Sequence, residues 1–265
     1  MFRFLPILMT PGMANLIMYN RWQHVEFECW VCTGYNFNML IHQLHDWDLT
    51  PAQAIELQKR LAGQIYCTGK MDNPRLIAGT DVSVDRLNRA RAAVVVMRYP
   101  GLEVVETACF EGQVKFPYVP GLLSFREIPL LAAAFQDLRR RPDLILVDGQ
   151  GIAHPRRMGL ASHLGLLLDI ATIGCAKSHL YGEFSESDSA AGCFNPLVDN
   201  DNQVIGSVLR TKNNVKPLFI SVGHKIDLPS SIHWVLQCCQ GYRLPEPTRL
   251  AHQASRGNIS ITIRN

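Results

Sequence analysis

The sequence predicts an α/β fold, a mixed β-sheet flanked by helices on both faces. Three observations point to it. Residues 92–99 and 102–114 are strand-like runs joined by the turn pair Pro100-Gly101, which makes them an antiparallel hairpin. Residues 144–147 are wholly apolar and end in Asp148-Gly149, the pattern of a buried parallel strand with a carboxylate at its C-terminal end. Beyond the hairpin, helical and strand-like patterns alternate, as they do where a sheet is covered on both sides.

In chain order, residues 1–38 stand apart. They hold Trp22, Trp30 and the lone CxxC pair Cys29 and Cys32, and they show no clear period. They read as an N-terminal extension, either an appended segment or the product of an upstream translation start with Met39 nearer the true beginning. Residues 39–265 read as one catalytic domain. Pro6 and Pro11 interrupt the short apolar start and no clean cleavage site follows, so no signal peptide is expected.

From Thr50 the pattern becomes regular. Thr50, Pro51 and Gln53 supply an N-cap, a first-turn proline and a capping-box partner. Ala54, Ile55, Leu57, Leu61 and Ile65 then share one helical face. Residues 76–85 alternate as a strand, with Leu76, Ala78, Val82 and Val84 on one side and Asp81 on the other. The hairpin follows. Leu130, Leu131, Ala134, Phe135 and Leu138 mark a helix closed by Arg139, Arg140, Arg141 and Pro142. After the 144–147 strand come a helix over 157–168 and strands over 171–176, 203–209 and 217–222. A last helix over 229–240 is begun by Pro229 and stopped by Gly241.

The 265 residues are 47% hydrophobic and 8% aromatic, which excludes a disordered chain. No apolar run approaches the roughly 18 residues of a membrane helix, so a soluble, cytoplasmic protein with no membrane partner is expected. The formal charge of +3, from 26 Lys and Arg against 23 Asp and Glu, is low for a protein that grips nucleic acid through a basic surface. Arg139–Arg141 and Arg156–Arg157 are the expected local positive patches. The eight cysteines read as reduced: Cys238 and Cys239 are adjacent, and Cys109 and Cys175 lie in apolar runs. A zinc site at Cys29 and Cys32 would need a second pair at matching spacing, and none exists.

Asp81 and Asp148 are the first candidates for chemistry. If their strands are neighbours, the two carboxylates converge at the edge where ligands bind in open α/β sheets, and Mg²⁺ would relieve their repulsion. Singly, each is an ordinary strand-end aspartate in a turn. Glu127 is the third. Ser124 and Glu127 fit a capping box, but Pro129 disfavours a cap at Ser124, and a helix starting nearer Ile128 would free Glu127 to face a metal. His154 lies in a loop just beyond Asp148, where a lone histidine is otherwise merely solvated. Lys177 follows the 171–176 strand and could offset phosphate charge, unless it is surface decoration. Pro117-Tyr118-Val119-Pro120-Gly121 is either a rigid loop or a wedge that enters a base stack.

Taken together these motifs resemble the endonuclease V family of deoxyinosine 3′ endonucleases. The resemblance rests on Ala78 to Ser83, Phe116 to Glu127, Val147 to Gly151 with His154-Pro155-Arg156, Gly159 to His163, Thr172 to Ser178, Gly223-His224 and Pro245 to His252. These pieces run in family order from about residue 42 to residue 252, and nothing before Met39 has a counterpart. The resemblance implies an RNase H-like fold and Mg²⁺-dependent hydrolysis, with Mn²⁺ a plausible substitute. The cut would fall at the second phosphodiester bond 3′ to a hypoxanthine nucleotide, leaving a nick without removing the base. It implies Asp81 and Asp148 as metal ligands, with Glu127 and His252 completing the metal site; some members carry Asp in place of His252. Lys177 would join Asp81, Glu127 and Asp148 as a catalytic group near the scissile phosphate. Tyr118 would belong to the wedge, and Gly121, Leu123, Gly149, His154, Gly159 and Leu160 would surround the extruded base. Partners implied are deoxyinosine-containing DNA and, as a second substrate, inosine-containing RNA; a monomer is expected.

Extrusion costs a few kcal/mol, and less for a mispaired base, which favours a deaminated lesion. Cutting beyond the lesion requires a base pocket distinct from the metal site, and the Tyr118 loop and the Asp81/Asp148 edge are two such regions. Two rivals remain at this point. A ribonuclease H acting on RNA–DNA hybrids would share the carboxylates without needing the Pro117–Pro120 wedge. A binding module that does not cut would tolerate the loss of Asp81 or Asp148.

Overall fold

The computed structural model describes residues 39–258. Among them are eight strands: β1 (Leu76–Val84), β2 (Arg89–Arg98), β3 (Glu103–Gln113), β4 (Leu144–Val147), β5 (Ala171–Ala176), β6 (Phe194–Val198), β7 (Val204–Leu209) and β8 (Leu218–His224). Five helices accompany them: α1 (Pro51–Ala62), α2 (Leu123–Gln136), α3 (Leu160–Leu168), α4 (Leu228–Gln237) and α5 (Glu246–Ser255). All strands belong to one sheet in the order β3-β2-β1-β4-β5-β8-β7-β6. β4 runs parallel to β1 and to β5, and the remaining pairs are antiparallel. The mixed sheet is therefore as expected, and its short parallel centre is the apolar run at 144–147, buried at every position.

Alternation along the strands separates two cores. Ala78, Val94, Val96, Ile145 and Val147 pack under α2 and α3, while Ile77, Val95, Leu146, Ile173 and Ile220 pack under α4 and α5. Leu76, Val82 and Val84 join the first of these cores, on the side the sequence assigned to them. α1 forms its predicted capping box, with Gln53 N–H donating to Thr50 Oγ1 and Thr50 N–H to Gln53 Oε1. Its apolar face, Ala54, Leu57 and Leu61, covers Phe116, Leu122, Phe125 and Met158.

Several boundaries move for local reasons. The helix expected from 157 begins at Leu160, because Arg157 takes a left-handed backbone (φ 57°) and Gly159 serves as the N-cap. α4 starts under the Asp227 cap, whose carboxylate accepts from Ser230 N–H at 2.7 Å, and ends at Gln237 before the expected stop. Two elements carried no usable signal. β6 is an edge strand, a position that tolerates its Pro196. α5 buries mostly small residues, including Thr248, Ala251, Ala254 and Ser255, because it lies hard against β1. A Cβ on Gly79 would sit 2.0 Å from the Pro247 carbonyl carbon. A helix seated that closely shows no stripe of large apolar side chains.

The six described cysteines are free, and Cys29 and Cys32 lie outside the described residues, as does the whole 1–38 extension. Among the described residues no helix is long and apolar enough to cross a membrane.

Candidate active site

Because β1 and β4 are parallel neighbours with Thr80 opposite Val147, the next residues, Asp81 inside β1 and Asp148 just past β4, meet where the parallel pairing ends. Asp81 projects away from the α2/α3 core and toward α5. There Ser255 donates its hydroxyl to Asp81 Oδ2 at 2.5 Å, and His252 Nδ1 lies 3.2 Å from the same oxygen. Lys177, just past β5, forms an ion pair with Asp148, and its Nζ stands 3.5 Å from His252 Nδ1. One ligand atom from each of Asp81, Asp148 and His252 falls within 4.8 Å of the others, a spacing that could hold a metal ion.

Charge at this edge is crowded. Burial pushes the Asp148 carboxyl up to about 7; Lys177 opposes the shift and the adjoining Asp81 adds to it. Burial, followed by the charges of Asp81 and Asp148, pushes Glu127 up to about 8. Three carboxyl groups thus share this edge, opposed by Lys177 at Asp148 and by Arg126 at Glu127. Oxygen donors that resist ionisation together, with one imidazole beside them, suit a hard divalent cation, so the donor set fits the implied group. Glu127 is not part of that close group but lines the same cavity, where the charges of Asp81 and Asp148 reach it.

The helix around Glu127 also differs from both alternatives raised by the sequence. α2 starts at Leu123 and runs through Pro129, so Glu127 lies inside it. No side-chain cap forms at its N-terminus, and Ser124 Oγ is buried without a partner. The missing capping box is what leaves the Glu127 carboxyl free to turn to the cavity.

That cavity has a volume of about 340 Å³. Its lining includes a charged wall of Asp81, Glu127, Asp148 and Lys177 and a wall without carboxylates that includes Tyr118, Gly121, Leu123, Gly149, His154, Gly159 and Leu160. Every predicted site residue is therefore in its wall except His252, which sits behind Asp81. The two regions expected to be distinct open into a single space. Tyr118 is 74% exposed, held between prolines. Gly121 ends its loop with φ 78°, a conformation that favours glycine.

The Gly121 carbonyl is the hub of this second wall. It accepts from Gln58 Nε2 at 3.0 Å, His154 Nε2 at 2.9 Å and Arg156 Nη2 at 2.9 Å. His154 Nδ1 accepts from Arg156 N–H at 3.1 Å, so the proton of a neutral ring belongs on Nε2. Burial, the main cause, pushes His154 down to about 4, consistent with that neutral form. His154 is thus no solvated loop histidine.

Arg156 and Arg157 are not the free positive patch expected from their charge. Arg156 is tied to Gln58 and Gly121, and Arg157 forms an ion pair with Asp199. Sequence reasoning missed Gln58 and Ser255. Both are polar residues on helices, and the site groups they hold, Gly121 and Arg156 for Gln58 and Asp81 for Ser255, lie at least 63 residues away in the chain, so no local spacing marks them.

The family model for endonuclease V matches residues 59–253, which span the whole of this cavity apart from Gln58. The chain belongs to the endonuclease V family. An endonuclease V of Dehalococcoides mccartyi (strain ATCC BAA-2100 / JCM 16839 / KCTC 5957 / BAV1) is 53% identical over 219 residues, covering 82% of this chain and 98% of the relative. The crystal structure of endonuclease V from Streptomyces avermitilis superposes with a TM-score of 0.75 at 41% identity, over 80% of this chain and 93% of that one. A Ciona intestinalis endonuclease V bound to a 24mer DNA containing an inosine followed by a ribo-adenosine matches with a TM-score of 0.69 at 28% identity, over 78% and 95% of the two chains. The sheet is accordingly RNase H-like, and the protein is an endonuclease, a hydrolase of phosphodiester bonds.

Proposed function

We propose that this endonuclease V hydrolyses the second phosphodiester bond on the 3′ side of a deoxyinosine in DNA, with Mg²⁺ held by Asp81, Asp148 and His252. The observation that carries the reading is the sharing of one cavity by the converged carboxylates and the Tyr118 loop. A nuclease indifferent to the base needs only the first of these. Bound at the triad, the ion would activate water and neutralise charge on the phosphate, and Mn²⁺ would substitute.

The chain's own groups divide the remaining work. Lys177, anchored on Asp148, offers its ammonium to a phosphate oxygen near the ion. Glu127 adds a third carboxyl at the cavity wall. Ser255 holds Asp81 in place through its hydroxyl. On the other wall, Tyr118 enters the stack while Gly121, Leu123, Gly149, Gly159 and Leu160 enclose the extruded base, and His154 keeps the Gly121 carbonyl in place. Inosine-containing RNA is the second substrate reading, favoured by the ribo-adenosine that follows the inosine in the Ciona complex.

Matched inosine DNA and RNA strands, end-labelled and incubated with Mg²⁺, test the proposal alongside an RNA–DNA hybrid lacking inosine. Cutting one nucleotide beyond the inosine, with the hybrid intact, is the expected result. Cleavage of the hybrid at a similar rate would contradict it and favour a ribonuclease H activity.

A further inference from the structure

Gln58 lies on α1, one residue before the stretch that the family model covers, and the roles above do not use it. It is only 1% exposed. A glutamine amide brings two N–H donors and an acceptor oxygen, and all three functions are engaged. Nε2 donates to the Gly121 carbonyl at 3.0 Å and to the Met158 carbonyl at 2.9 Å, and Oε1 accepts from Arg156 Nε at 2.6 Å. Gly121 ends the loop that carries Tyr118. Arg156 and Met158 belong to the loop that carries His154 and leads into α3. One side chain from a helix with no reacting group therefore ties both loops of the recognition wall together.

We propose that Gln58 is a positioning residue for base recognition: it sets the spacing between the Tyr118–Gly121 loop and the 154–159 loop, and so the width of the space that admits the base. The proposal rests on the inosine reading above. Its physical content is the cost of breaking the tie. Without the amide, the buried Met158 carbonyl loses its donor and must move to find another, and the half-buried Arg156 Nε loses its acceptor. The Gly121 carbonyl would keep His154 and Arg156, but the hydrogen bonds that fix both loops to α1 would be gone, leaving only apolar packing there. The carboxylate wall shares none of these bonds, so its chemistry is spared.

Two substitutions separate the bonds from the packing. Gln58→Met fills a similar volume without an N–H donor. Gln58→Glu keeps the acceptor for Arg156 but turns an oxygen toward two carbonyls. Each variant of the full chain is compared with the wild type in two ways. The first is Mg²⁺-dependent nicking of single strands carrying inosine or, at the same place, guanosine. The second is amide deuterium exchange without substrate, read at Leu122, whose N–H bonds the Val119 carbonyl at 2.9 Å. For both variants KM for the inosine strand should rise on the order of tenfold with kcat within about threefold, and the inosine-to-guanosine preference should fall by a similar factor. Exchange at Leu122 should quicken while that of β4 stays unchanged. Unchanged KM and unchanged Leu122 exchange would overturn the proposal, as would a fall in kcat alone with the preference intact. If the wild type shows no preference for inosine but Leu122 exchange still quickens in Gln58→Met, the inosine reading fails and the tie between the loops stands.

Discussion

On one wall of the cavity, Glu127 and Asp148 are pushed up to about 8 and 7, and three carboxyl groups crowd together with Lys177 ion-paired to one of them. On the other, His154 is pushed down to about 4 and one carbonyl receives three donors. The first wall is crowded with carboxyl groups, and two of them, Asp81 in β1 and Asp148 just past β4, are fixed beside each other because those strands are hydrogen-bonded neighbours. The second is made of loops, and its polar groups are largely satisfied by one another. The difference matches the two tasks. Chemistry on a phosphate calls for a site whose missing charge a cation completes, whereas recognition calls for a preformed shape that needs no rearrangement.

Chelation breaks the comparison most severely. Removing divalent cations should lower nicking by on the order of 10³-fold or more, since a cation contributes several kcal/mol to such a transition state. Mg²⁺ or Mn²⁺ should restore it. The pH dependence follows in sign. Asp148 and Glu127 titrate higher in the folded state than the usual value near 4, so the cation-free fold is favoured at low pH and loses stability as pH rises from about 4 until it passes about 7 to 8. Added Mg²⁺ should therefore raise the thermal midpoint more at about pH 8.5 than at about pH 6, as scanning calorimetry would report.

Two buried histidines, His154 in the loop wall and His163 on α3 outside the cavity lining, respond in the opposite direction. His154, at about 4, and the fully buried His163, at about 3, stay neutral in the fold while an unfolded chain binds protons near 6.5. Their contribution is complete above about pH 6.5 and is lost as pH falls toward 4, by about 2 kcal/mol each at about pH 5. Urea unfolding at about pH 7 and pH 5, compared with a His163→Phe variant, measures this; the variant should lose less stability on acidification.

Tyr118→Ala is the mildest of these disturbances and sharpens the division between the walls. Tyr118 is exposed and holds no part of the fold, so the midpoint should not move. Cleavage of an inosine duplex should fall roughly tenfold, and that of an inosine already in a single strand by no more than about threefold, because only the duplex must be unstacked. An equal loss on both would count against a wedge.

How much of this was legible in the sequence depended on how local the cause was. The run at 144–147 is a buried parallel strand because all four residues are apolar, and Asp148 follows at its end. The convergence of Asp81 with Asp148 needed only the pairing of two recognisable strands. α5 was unreadable as an element, since close approach to Gly79 replaces large apolar residues with small ones. Glu127 stayed ambiguous because Ser124 and Pro129 argue for different helix starts, and packing overrode both. Gln58 and Ser255 were invisible for a different reason. Each is polar, buried and useful only through partners far along the chain, where spacing carries no information.

The central claim is that the carboxylate wall cuts and the loop wall recognises. It is tested most directly by Asp148→Ala on one inosine duplex, with nicking and binding measured in parallel in Mg²⁺. Nicking should be lost by on the order of 10³-fold while the dissociation constant stays within about threefold of the wild type. Undiminished nicking, or a loss of binding that matches the loss of nicking, would contradict it.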